Sequence, residues 1–200
     1  MFLEPRPLAR RTQWWAALAG LSTVAAPLVG LLNHTTVRTA DGSTRPTLAY
    51  GLVALVNLVV LIIALVMRLR WLRLCRQNAD LWAPGEATYS PGWVVGAWFT
   101  PLLMWWRPRR IVLDITRASS DGDGSVTRLV TIWWALHVSF SVAGLCVVVL
   151  KGTMTDTVDS SVQLALALCS LASLVLFLDL VGRITALQEA RCTSDRRDLL

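Results

Sequence analysis

Four stretches of this chain stay apolar long enough to cross a lipid hydrocarbon core: residues 14–32, 48–67, 129–150 and 162–182. A crossing needs about 20 helical residues. Helix is the only open-chain solution in lipid, because each backbone N–H and C=O must find its partner within its own segment. Composition agrees. Apolar residues make up 54% of 200 positions and charged residues 16%, against about 25% charged in soluble globular chains. A soluble fold of this size could not hide so much apolar surface. The sequence therefore predicts an all-α integral membrane protein.

Basic residues orient the spans. Three precede Trp14 (Arg6, Arg10 and Arg11), nine lie within 68–128, and four follow Gly182. The connections 33–47 and 151–161 carry only Arg38, Arg45 and Lys151. The cytoplasmic side takes the excess. This predicts a plasma (cytoplasmic) membrane protein with both termini inside and four spans forming a bundle. Segments 1–13 and 183–200 are expected as cytoplasmic tails, and 68–128 as a cytoplasmic segment between spans two and three. The first span also resembles an export signal, with Arg10-Arg11 ahead of it, but its apolar run is far longer than a signal core. An uncleaved span is the expectation.

The cytoplasmic segment has its own pattern. Beyond Met67 the helix is expected to continue: Trp71, Leu74, Cys75, Asn78 and Trp82 recur at spacings of three and four, with Arg68, Arg70, Arg73 and Arg76 between them. Pro84-Gly85 closes it. Arg76 and Asp80 stand one turn apart and can pair. Residues 92–106 are uncharged but short for a crossing, and Gly92, Gly96 and Pro101 interrupt helix. This stretch is expected as a re-entrant or interfacial element. After Pro108 a second amphipathic segment sets Arg110, Asp114 and Arg117 opposite Ile111, Val112, Ile115 and Ala118, and a linker at 119–125 ends it.

Several of these residues form a pattern: Trp71-Leu-Arg-Leu-Cys-Arg-Gln-Asn-Ala, Ser90-Pro-Gly-Trp-Val-Val-Gly-Ala-Trp-Phe-Thr-Pro, Pro108-Arg-Arg-Ile-Val, Arg117-Ala-Ser, and Trp133-Trp134. The chain resembles a family of multi-span actinobacterial membrane proteins catalogued as domain of unknown function 4328. The family pattern often has Asn where this chain has Met104 and Tyr where it has Arg109. The resemblance implies a membrane fold and location, and no activity.

Two constellations follow as candidate sites. Trp71, Arg73, Arg76, Asn78, Pro91, Trp93, Trp98, Pro101, Arg109 and Arg110 form a candidate surface for a protein partner or anionic lipid head groups, which near-surface basic residues attract at about 1 kcal/mol each. The same residues could equally set topology and anchor the bundle. Asn57, His137 and Asp179 are polar within apolar runs, at about 15, 12 and 5 Å from the inner ends of their spans at 1.5 Å per residue. They could share an intramembrane cluster on an ion or proton path, or make interhelical hydrogen bonds and an Asp179–Arg183 ion pair. The four cysteines show no metal or disulfide spacing, and no hydrolase, metalloprotease or phosphate-loop motif is present. No catalytic residue, cofactor or metal is expected, and nucleic acid is not expected as a partner. The leading expectation is a non-enzymatic membrane scaffold or interaction protein. The alternative is a small transporter or channel subunit, as a homo-oligomer.

Overall fold

The computed structural model describes residues 2–32, 36–38, 44–46, 48–120, 124–150 and 156–198. Six α-helices follow in order: α1 (Arg6–Leu32), α2 (Leu48–Trp82), α3 (Trp93–Phe99), α4 (Arg107–Ser119), α5 (Gly124–Leu150) and α6 (Asp156–Asp198). A 3-10 turn, Leu103–Trp105, joins α3 to α4. One departure from all-helix lies between α1 and α2. There β1 (Thr36–Arg38) pairs antiparallel with β2 (Thr44–Pro46), with Val37 opposite Arg45, at positions rich in the β-branched residues that favour strands. Asn33, His34, Lys151 and residues 121–123 of the expected linker lie outside the described residues.

Among the described residues, three helices are long and apolar enough to cross a membrane: Gly51–Trp82, Gly124–Val147 and Ala165–Asp195. The expected first span lies within α1, a 27-residue helix. Residue 82 ends α2 as expected, making it one helix of 35 residues, about 52 Å at the standard rise and well beyond the roughly 30 Å of a hydrocarbon core. Gly85 follows at φ +79°, a left-handed turn that glycine adopts without a Cβ clash.

The apolar residues of these helices mostly face outward. Their most apolar windows are only 11%, 17% and 22% buried, and Leu52, Leu55, Val56, Leu58, Val59 and Ile62 all lie exposed along α2. The packed core sits instead at the arginine-rich end. Trp71, Leu72, Cys75 and Ala79 of α2 meet Ile111, Val112 and Ile115 of α4, Val130, Trp133 and Trp134 of α5, and Leu180, Val181 and Ile184 of α6. The segments expected as tails belong to this core. Ala9 and Thr12 are buried in α1, and Ile184, Thr185 and Gln188 are buried in α6, which stays helical through Asp198. The apolar stripe of α6 explains why: Phe177, Val181, Ile184 and Gln188 recur at helical spacing past the last apolar run.

Polar side chains tie the long helices at the same end. Thr12 donates to the Met67 carbonyl at 3.1 Å, joining α1 to α2. Gln13 donates to the Leu178 carbonyl at 3.0 Å, joining α1 to α6. Trp71 Nε1 donates to Thr185 Oγ1 at 3.3 Å, joining α2 to α6. The densest knot is an amide pair. Fully buried Gln188 donates to the Cys75 carbonyl at 2.9 Å and to Ser119 Oγ at 3.1 Å, and its Oε1 accepts from Asn78 Nδ2 at 3.0 Å. Asn78 also donates to the Leu3 carbonyl at 2.8 Å and accepts from the Leu3 N–H at 3.0 Å. Both amides are saturated, so α2, α4, α6 and the N-terminal residues share one buried network.

Gln188→Leu is expected to lower the stability of the detergent-solubilised protein by about 1–3 kcal/mol, the cost of stranding buried partners. Asn78→Ala should cost a similar amount. The double variant should lose less than the sum, because the two share a bond. A thermal-unfolding double-mutant cycle measures this.

Candidate functional site

Around the long helices the packing order is α2, α1, α6, α5, so α2 and α5 flank a cleft. Residues 90–106 enter it at the arginine-rich end. The Ser90-Pro91-Gly92 turn starts α3, with the Trp93 N–H donating to the Ser90 carbonyl at 3.0 Å. Thr100 ends it, both its N–H and its hydroxyl meeting the Gly96 carbonyl, at 3.1 and 2.8 Å. Pro101 prevents continuation. Leu102 then takes φ +65°, ψ −50°, a conformation costly for a residue with a Cβ. The expected element at 92–106 is thus a two-turn helix, a strained corner and a 3-10 turn.

This plug is held by aromatic rings and arginines. Trp98 meets Trp134 edge-on at 6.0 Å and His137 at 6.4 Å, both on α5. Trp134 Nε1 donates to the Trp105 carbonyl at 3.0 Å. From α2, the Arg68 guanidinium lies 4.2 Å from the centre of the Phe177 ring and 5.8 Å from that of Trp98. Arg107 covers Trp93 at 3.8 Å and Tyr89 at 4.9 Å, and its Nε and Nη1 are buried without a hydrogen-bond partner. Ring faces are the partners of that guanidinium.

Behind the plug is a chamber of about 410 Å³, within the usual size of a small-molecule site. Its walls come from 16–23 of α1, 61–68 of α2, 133–140 of α5 and 170–177 of α6. Each helix contributes two turns, about 10 Å of length. The walls are apolar apart from Arg68, His137 and a few hydroxyls. Thr23 and Ser170 turn their hydroxyls back onto the carbonyls of Ala19 and Ala167, both at 2.8 Å. A smaller cavity of about 280 Å³ lies on the outer side of α4, where Arg76, Arg110 and Arg117 alternate with Asp80, Glu86 and Asp114.

The residues proposed from sequence divide into two groups. Trp71, Arg76 and Asn78 are not surface residues. Trp71 and Asn78 are fully buried, and Arg76 is 4% exposed, bonded through Nε to Asp80 at 2.8 Å and through Nη2 to the Tyr89 carbonyl at 3.0 Å. The spacing of Trp71 and Asn78 puts them on one helix stripe, and that stripe faces the core, whereas Arg76, read between the stripe residues, is drawn inside by its two bonds. Trp93 and Trp98 are half-buried in the plug, and Arg109 bonds Thr131 Oγ1 at 3.1 Å. Arg73, Pro91, Pro101 and Arg110 are exposed. The structure does not gather Asn57, His137 and Asp179. Only His137 lines the chamber, while Asp179 pairs with Arg183 at 2.9 Å on the exposed side of α6. Sequence reading missed Gln188, Arg68 and Phe177. Gln188 and Phe177 were detectable as members of the α6 stripe. The inward aim of Arg68 leaves no mark in residue spacing.

Arg107→Ala should loosen α3. Losing ring contacts worth about 1–2 kcal/mol is expected to raise chymotryptic cleavage within 89–106 about tenfold, with Arg107→Lys in between. Mass spectrometry of limited digests reads the cleavage sites.

The sequence profile described as a domain of unknown function, DUF4328, matches residues 31–186. No curated protein and no solved structure matches the chain. The profile covers most of the 200 residues, including the α2 extension, the plug and α4, and the chain belongs to the DUF4328 family.

Proposed function

We propose that this is a four-span protein of the plasma membrane with both termini cytoplasmic, and that its role is non-enzymatic: a scaffold whose arginine- and tryptophan-rich inner end engages a partner protein at the membrane surface. The observation that carries this reading is the placement of exposed apolar residues on the plug. Phe99, Leu102 and Trp106 are 61%, 71% and 51% exposed, although beside them the Trp98 ring packs on α5 and the Trp105 carbonyl accepts from Trp134. Leu102 is presented on a strained corner. A chain that spends backbone strain to expose a leucine fits a recognition surface better than a passive connection. Arg110 and Arg117 lie exposed on the adjoining helix, a cationic flank suited to an acidic segment of the partner or to anionic head groups.

A transport role would place Asn57, His137 and Asp179 along one route, and only His137 reaches the chamber.

The test uses a photoreactive residue at Leu102 or Trp106 in cells, with Trp98 as the half-buried comparison. One discrete protein adduct is expected from Leu102 and Trp106, weaker from Trp98, and reduced several-fold by Arg110→Glu. Adducts to lipid alone from all three positions would overturn the scaffold reading.

A further inference from the structure

The chamber and Arg68 together make a site that the scaffold role does not use. Arg68 lines the cavity at its arginine-rich end, level with Trp133 and Phe177. Leu61, Phe140 and Ser170 line the opposite end, about 10 Å further along the helices. Among the described residues Arg68 has no carboxylate and no hydrogen-bond acceptor. Its contacts are the faces of Phe177 and Trp98. Those faces hold the guanidinium in place without neutralising it, so its charge awaits an anion. Beyond it the walls are mostly hydrocarbon, from Leu61, Ala64, Leu65 and Leu174, with His137 and three hydroxyls among them.

We infer that this chamber binds one anionic phospholipid of the inner leaflet, its phosphate on Arg68 and an acyl chain lying in the cavity between α2 and α5. The inference rests on the membrane reading above and adds a ligand to it. Three features select a phospholipid. The polarity of the cavity, cationic at the leaflet surface and apolar toward the midplane, runs in the same sense as an inner-leaflet lipid. The guanidinium offers the planar fork of donors that matches phosphate oxygens bidentately. Basic pockets between helices on the cytoplasmic side are where anionic head groups are held. The packing order supplies an entrance, because α2 and α5 are not neighbours and their cleft is closed at the arginine-rich end by Trp98. Alkyl chains can therefore enter from the side, from the bilayer.

The experiment is native mass spectrometry of the full chain, delipidated in detergent and titrated with phosphatidylglycerol or phosphatidylcholine. The expected result is a single phosphatidylglycerol bound at concentrations where phosphatidylcholine is not. Arg68→Gln should weaken that binding at least tenfold. Ala64→Phe, which fills the cavity, should do the same, with Leu61→Trp as a second filling variant if the first fails to fold. Arg70→Gln, at an exposed arginine on the same helix, should leave binding unchanged. Far-ultraviolet circular dichroism confirms that each variant is helical. Equal retention of the two lipids, or full binding by Arg68→Gln, would overturn the inference. So would displacement by glycerol 3-phosphate as effective as by phosphatidylglycerol, since that identifies a bare anion site. A wild-type chain that stays soluble without detergent would instead overturn the membrane reading beneath it.

Discussion

Long helices that turn their apolar residues outward cannot be held to one another by the hydrophobic effect along those faces, because surrounding hydrocarbon satisfies the same residues equally well. Cohesion must come from elsewhere, and here it is concentrated at one end. There α2 and α6 outrun the apolar stretches, and their extensions enclose α4 in a core of ordinary soluble character around Trp71, Ile115 and Ile184. The buried amides of Asn78 and Gln188 lock that core. Their donors and acceptors reach Leu3, Cys75 and Ser119, fixing the rotation of α2 and α6 about their axes. Rotation sets which residues line the space further along the helices, so the chamber depends on hydrogen bonds made outside it.

The same register explains how six arginines and acids near the plug divide their work. Arg76 is drawn inside and bonds Asp80 and the Tyr89 carbonyl. Asp114 caps the Thr88 N–H at 3.0 Å and stands 3.7 Å from Arg117. Arg68 and Arg107 are matched to aromatic rings. An arginine paired with a carboxylate is spent on structure, whereas one held by ring faces keeps a net charge. Of the two ring-held arginines, Arg107 covers the plug and Arg68 lines the chamber, a division that neither count nor spacing reveals.

The helices were legible from sequence because their cause is one-dimensional. An apolar run of sufficient length, a stripe at three and four, and a Pro-Gly stop are properties of consecutive residues. The reach of α2 to Trp82 and the pairs Arg76–Asp80 and Asp179–Arg183 follow from them. The amphipathic reading of α4 also holds, with Ile111, Val112 and Ile115 inward. The site was less legible. Trp71 and Asn78 were placed on the correct stripe, but a stripe does not say whether it faces a partner or the protein's own core. Polar residues after 182 suggested a tail, although Gln188 sits on the apolar stripe of α6. That Arg68 turns toward the chamber is decided by rings on other helices.

In the proposed arrangement, apolar helices thread the bilayer while the packed, arginine-rich core stands on its cytoplasmic side. Reporter fusions at the N-terminus, after residue 120, within 151–155 and at the C-terminus measure this directly. The account predicts cytoplasmic signals from the first, second and fourth positions and an external signal from the third. Termini on opposite sides of the membrane, or an external position 120, would contradict it.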